Sequence, residues 1–340
     1  MIFTKQFLGI LILFFHINCY FHPVSQYIVD SLKKDVDPMN SFLKLLVVTQ
    51  GLNANTIKIS LQPILSETYS VGNLIMGIAY DKINDNLFYV INKNGSDEIK
   101  RLNISTGVST SVYNYNSASD SGIRYINENL YLIRTYDNKI SKLENLNQTP
   151  ISFITDYSLA QPYITDLCII SNNIYIIAGY SNFGGFKGVQ YLPSPDFNSI
   201  LTLFTSSGGG WDYPLQPFNR SILAVGSNVQ KMVISTGYFG SIELRALDGT
   251  LIRSETYVQQ GNYLEKDSKN RIYSVVFPSR LLRWDENLQN KETFEFVNVT
   301  LNSGSYGNIF SLREIGSSTE IILVNYRSNS PIFYKGVIPN

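Results

Sequence analysis

Histidine is nearly missing from this chain: the 340 residues hold two, His16 and His22, both close to the N-terminus. A Ser-His-Asp relay, a Cys-His pair and a His-ligated zinc or copper centre are therefore excluded from everything that follows them. Cysteine is as scarce. Cys19 and Cys168 make neither a disulfide framework nor a cysteine-rich metal site. Cys168 stands in the apolar run Leu167-Cys168-Ile169-Ile170 and reads as a small buried hydrophobe. Charge is low, at 16% of residues against about 25% in average soluble proteins. Lys+Arg and Asp+Glu balance at 27 each, so nothing points to nucleic acid or to an acidic tail. Gly208-Gly209-Gly210 has no following Lys and Ser/Thr and is not a phosphate loop. No apolar run reaches the ~20 residues that span a bilayer.

What is present begins with an export signal. The chain opens MIFTKQFLGILILFFHINC, with Lys5 as the positive charge and an apolar stretch from Phe7 to Phe15 broken only by Gly9. That length suits the roughly 7–15-residue hydrophobic region of a secretory signal. Cys19 follows where a signal peptidase cuts, and the arrangement resembles a bacterial lipoprotein signal, whose cysteine becomes the acylated first residue. It departs from the strict form at His16 and Asn18, which stand where a leucine and a small residue are usual. The expectation is a signal over residues 1–18, lipidation at Cys19 and a membrane anchor of two or three acyl chains, since one chain alone binds only marginally. The other reading is an ordinary cut near Cys19 or Gln26. An anchored protein belongs at the outer membrane, the cell surface or the periplasm; an unanchored one is secreted. Residues 19–54 then read as a tether broken by Pro23 and Pro38, with a short helix over Ser41 to Val48.

From about residue 55 to 340 the chain repeats a unit. Its clearest copy is Gly77-Ile78-Ala79-Tyr80-Asp81, Asn84-Asp85-Asn86, Leu87-Phe88-Tyr89-Val90 and Ile99-Lys100-Arg101-Leu102. This is strand, tight turn, strand, turn, strand. Gly122-Ile123-Arg124-Tyr125 opens a second copy and Asp166-Leu167-Cys168-Ile169 a third. The second strands start at residues 87, 130, 174, 232, 272 and 321, spaced 43, 44, 58, 40 and 49 apart. A period of roughly 40–50 residues with several short strands per unit marks propeller blades. An all-β, six-bladed β-propeller is expected. The 58-residue gap holds residues 206–220, either an insertion or a degenerate seventh blade. The run Thr56 to Leu61 is placed to complete the last blade and close the ring.

Residues 77–107, with Gly77, Asp81, Leu87, Tyr89, Val90, Arg101, Thr106 and Gly107, resemble the unit of the NHL, gluconolactonase-like and YWTD-like six-bladed propellers. The resemblance implies architecture; function has to come from a site. A gluconolactonase-like enzyme would bring a metal held by Glu, Asn and Asp side chains, and no residue here matches that set one by one.

Ligands of propellers usually sit where the innermost strands converge on the central channel. The residues at the starts of those strands give the candidate ligand-binding set: Asn73, Asp120, Asp166, Trp211, Asp212, Asn262 and Asn308. Three of them follow glycine, as turn residues that tolerate positive φ also do. Their oxygens suit a hard cation such as calcium. Trp211, in a glycine-rich loop, either stacks on a sugar or peptide or plugs the channel. No catalytic or metal-ligating residue is assigned. Two functions are compatible: a lipid-anchored binding or assembly scaffold for a protein, peptide or carbohydrate, and a secreted metal-dependent hydrolase or lactonase.

Overall fold

The computed structural model describes residues 56–340 apart from 71–72, 94–95, 116–121, 136, 138, 152, 159–163, 180–185, 195–199, 206–220, 227–229, 236–240, 257–262, 277–278, 300–308 and 326–330. The helix expected over 41–48 lies outside these residues.

Every regular element among the described residues is a strand. The chain enters with β1 (Ile57–Ser60) and β2 (Gln62–Ser66). Blade 1 follows as β3 (Leu74–Asp81), β4 (Asn86–Lys93), β5 (Ser96–Asn103) and β6 (Ser109–Tyr115). Blade 2 is β7 (Gly122–Ile126), β8 (Asn129–Arg134), β9 (Lys139–Glu144) and β10 (Phe153–Ser158). Blade 3 is β11 (Ile164–Ile170), β12 (Asn173–Gly179), β13 (Phe186–Leu192) and β14 (Leu201–Thr205). Blade 4 is β15 (Ser221–Val225), β16 (Lys231–Ser235), β17 (Ser241–Ala246) and β18 (Leu251–Thr256). Blade 5 is β19 (Leu264–Lys266), β20 (Ile272–Val276), β21 (Arg280–Trp284) and β22 (Glu292–Val297); blade 6 is β23 (Ile309–Ile315), β24 (Ser318–Asn325) and β25 (Ile332–Ile338). Six separate sheets form from these strands, so the fold is a six-bladed propeller. The stretch 206–220 lies outside the described residues, between β14 and β15, and no seventh sheet occurs among those described.

The second strand of each blade carries the core. Leu87, Phe88, Tyr89, Val90 and Ile91 of β4 are all fully buried, on both faces of the strand. Each blade is covered by a neighbour on either side, so its middle strands bury both faces and read as continuous apolar runs rather than alternating ones. Side-chain carboxylates and positive-φ residues fold the hairpins between first and second strands. Asp81 Oδ1 accepts from the backbone of Ile83 (3.0 Å) and Asn84 (3.3 Å), and Asp85 takes φ 53°. Asp267 does the same for Lys269 (3.0 Å) and Arg271 (2.9 Å), with Asn270 at φ 58°. Asn and Asp reach that conformation at less cost than other side chains.

Ring closure differs from the expectation by one strand. β1, in the run 56–61, does not complete the last blade; it adds to blade 5 as a fifth strand, parallel to β22, with Ile57 opposite Phe294 and Ser60 opposite Val297. β2 closes the ring, antiparallel to β25, with Gln62 opposite Lys335 and Ser66 opposite Ile332. The crossing from one blade to the next happens at Leu61, buried at 4% exposure. Gly336 makes room for it: a Cβ there would stand 2.9 Å from the Ser60 carbonyl oxygen and 2.7 Å from Leu61 Cδ2. Glu67, just past β2, then ties the closing strand to blade 1 by accepting from Lys100 Nζ at 3.0 and 3.1 Å and from Tyr89 Oη at 2.5 Å.

The first strands β3, β7, β11, β15, β19 and β23 touch one another in turn around the axis. They converge so closely that a Cβ on Gly77 of β3 would meet the backbone nitrogen of Ile123 on β7 at 3.0 Å. That approach is the reason for the glycine at the head of the repeat.

Candidate functional site

Arg124 lies in the middle of β7, where the matching position of blade 1 is Ala79. Its guanidinium reaches across the channel and uses all five N–H groups. Nε donates to Asp166 Oδ1 at 2.8 Å, and Nη2 donates to Asp166 Oδ2 at 2.5 Å and Ser221 Oγ at 2.6 Å. Nη1 donates to the Leu264 carbonyl at 3.2 Å and to Glu265 Oε1 at 2.8 Å. Blades 2, 3, 4 and 5 are thus pinned to one side chain. The Tyr263 ring packs against the guanidinium, its centroid 4.3 Å from Cζ, and its hydroxyl reaches toward the Ile78 carbonyl of blade 1 at 3.4 Å. Phe310 of blade 6 meets that ring edge-on at 5.7 Å between centroids.

Asp166 is buried at 2% exposure, with both oxygens taken. Oδ1 also accepts from its neighbour's amide, Leu167 N, at 2.9 Å; Oδ2 also accepts from Ser221 Oγ at 2.7 Å and Ile222 N at 2.9 Å. One guanidinium faces two carboxylates, so the cluster holds one surplus negative charge when both acids are ionised. Asp166 has the bidentate contact and three further donors, which leaves the surplus on Glu265. Burial pushes the Glu265 carboxyl above its ordinary value and Asp166 adds to this, against the pull of Arg124.

This cluster floors a cavity of about 500 Å³ that opens at the C-terminal ends of the first strands. Leu167, Ile222, Leu223, Leu312 and the ring of Tyr80 supply apolar wall, Cys168 lies among them, and Glu265 and Lys266 supply charge. At the rim stand Lys82 and Ile83 of one hairpin and Asn127 and Glu128 of the next. Lys82 pairs with Glu314 at 3.5 Å and its side chain is 58% exposed. Lys266 Nζ donates to Asn270 Oδ1 at 3.0 Å. Burial and the Lys82 charge push its amine below the ordinary lysine range. Burial lifts the Cys168 thiol, and the Tyr80 hydroxyl, buried and bonded to Asp85, is pushed up to about 12.

Of the seven candidate residues from the sequence, the structure describes two, Asn73 and Asp166. Asn73 is half-buried beside β3, its amide bonded to the Ser70 carbonyl at 3.1 Å. Asp166 forms part of the central cluster. Asp120, Trp211, Asp212, Asn262 and Asn308 lie outside the described residues. Sequence reasoning passed over Arg124, Tyr263, Glu265 and Lys266. One signal was available: Gly122-Ile123-Arg124-Tyr125 repeats Gly77-Ile78-Ala79-Tyr80 with an arginine inserted at a position facing the axis. Among the described residues no group of three His, Cys, Asp or Glu side chains is arranged to hold a metal ion.

No family profile matches the sequence, and no curated protein is significantly similar to it. Solved structures do resemble the fold. A protein of unknown function from Bacteroides thetaiotaomicron superposes with a TM-score of 0.58 at 11% identity, over 82% of this chain and 76% of that one. A gluconolactonase from Xanthomonas campestris gives 0.56 at 12% identity, over 82% and 89%. A calcium-binding regucalcin from Agrobacterium tumefaciens gives 0.54 at 9% identity, over 84% and 97%. At such identities the likeness is one of fold.

Proposed function

We propose that this propeller is an exported binding protein, held at a membrane by a lipid on Cys19, and that it takes a small ligand into the channel cavity without transforming it. The observation that carries this reading is the cavity itself. Its volume of about 500 Å³ falls within the ~300–1,000 Å³ of small-molecule sites. Apolar wall surrounds a few polar groups whose positions are fixed by the cluster beneath, which is the composition such sites have. Asp166, the one acid of the original candidate set whose surroundings are described, has both oxygens committed and is unavailable as a general base. The hydrolase reading draws on the likeness to a gluconolactonase and a calcium-binding propeller, and its metal ligands would have to come from Asp120, Asp212, Asn262 and Asn308.

Ala224 gives the test, because it lines the cavity on blade 4. A ligand seated in the cavity raises the melting temperature, and Ala224→Phe, which fills the cavity, abolishes that effect and the binding. A ligand that binds Ala224→Phe as tightly as the parent protein refutes the cavity as the site. A calcium dependence of binding that survives Ala224→Phe supports the hydrolase reading in its place.

A further inference from the structure

The charges around the cavity are separated by depth. At the floor, the Glu265 side chain keeps 19% of its surface exposed beside an Arg124 that keeps 6%. Arg124 has no N–H left for a ligand, whereas Glu265, bonded to Arg124 through one oxygen and approached by the Tyr263 hydroxyl, keeps part of its carboxyl group exposed. Nearer the mouth, Lys266 has given one N–H to Asn270 and retains two. Among the described residues it forms no ion pair, and Lys82 beyond it raises the local positive potential. Between these poles the walls are Leu167, Ile222, Leu223 and Leu312, with Tyr80 on one side.

We propose that the ligand is a small zwitterion of the amino-acid type, its ammonium group on Glu265 at the floor, its carboxylate on Lys266 toward the mouth and its apolar side chain against the walls. This rests on the cavity reading given above and specifies its ligand. A simple anion gains from Lys266 but meets the carboxylate of Glu265, and a simple cation gains from Glu265 but meets Lys266 and Lys82. A molecule carrying both charges satisfies each pole, and charge-assisted hydrogen bonds in a partly dry site are the strong ones. The volume accommodates an apolar amino acid or a dipeptide.

The test uses phenylalanine, leucine and leucyl-phenylalanine, each as the free zwitterion, the C-terminal amide and the N-acetyl derivative, read by calorimetry and by the melting temperature. The free forms are expected to bind at least about tenfold more tightly than either blocked form, the size of one lost charge-assisted bond. Glu265→Gln, which keeps the oxygen that Arg124 donates to, is expected to bind the N-acetyl and free forms alike. Lys266→Gln is expected to lose the preference over the amide. A protein in which the blocked forms bind as well as the parents, or in which none of the nine compounds binds, overturns the zwitterion assignment. The cavity reading fails separately, when a wider screen including neutral sugars and simple carboxylates finds no compound whose binding Ala224→Phe abolishes.

Discussion

Arg124 is worth more to the fold than its single charge suggests, because its partners come from three other blades and are themselves buried. A buried ion pair is costly to assemble and still more costly to halve, since the partner left behind is an uncompensated charge. Arg124→Leu is expected to lose about 3–5 kcal/mol in denaturant unfolding, and Arg124→Leu with Asp166→Leu to recover most of it. Additive losses in the double variant would show that the two residues do not act as a pair. Glu265 carries a pH dependence of definite sign. Its folded carboxyl is raised, so the folded state holds the proton more tightly than the unfolded chain. Stability from this group is present below the unfolded value of 4.5 and falls as pH rises toward the folded one. Burial sets the shift and Asp166 from β11 adds to it, against Arg124 from β7, Lys82 from the turn after β3 and the hydrogen bond of Tyr263 on its own segment. Glu265→Gln should flatten the fall in melting temperature across that interval; an unchanged profile would place the titration elsewhere.

Among the elements, the decisive one is the short strand that closes the ring. β2 belongs to the start of the chain and pairs with β25 at its end, so six blades become one cooperative body only when these two segments meet. β1 has a lesser part, extending blade 5 without closing anything. A chain beginning at Leu61 is expected to fold with a lowered melting temperature, and one beginning at Glu67 to lose cooperative unfolding. Gly336→Ala drives a Cβ against the Ser60 carbonyl at the crossing between the two strands. It should cost about 1–3 kcal/mol, as overpacking does, and less in the chain that starts at Leu61. An equal cost in both backgrounds would mean that the crowding lies elsewhere. This glycine was not singled out from the sequence, because nothing local marks it. The residues it accommodates are about 275 positions away in the chain, brought close only by the topology.

At the scale of the whole molecule, six first strands converge on one axis, and Arg124 reaches across it to blades 3, 4 and 5. The cavity above that cluster lies at the C-terminal ends of the first strands. The proposed membrane attachment rests on the residues before the propeller. Intact-mass and peptide analysis of the exported protein should find an N-terminus at Cys19 carrying acyl groups; an unmodified peptide starting elsewhere, for example at Gln26, would remove the anchor from the proposal and leave a secreted binding protein.

The sequence by itself determined the class and the position of nearly every second strand, and it favoured six blades while leaving a seventh open. Expected starts at 87, 130, 174, 232 and 272 stand against observed ones at Asn86, Asn129, Asn173, Lys231 and Ile272. It did so because those strands are buried on both faces and punctuated by Asn and Asp turns, which are local signals read within a dozen residues. It also marked Asp166 and foresaw a buried Cys168, now seen at 5% exposure. Only the tertiary structure decided that a cavity lies at the C-terminal ends of the first strands and what Asp166 faces. Arg124 finds Asp166 at 42 residues' distance, Ser221 at 97 and Glu265 at 141. No periodicity carries contacts of that range; they exist because six first strands, spread over the whole chain, are folded onto one axis.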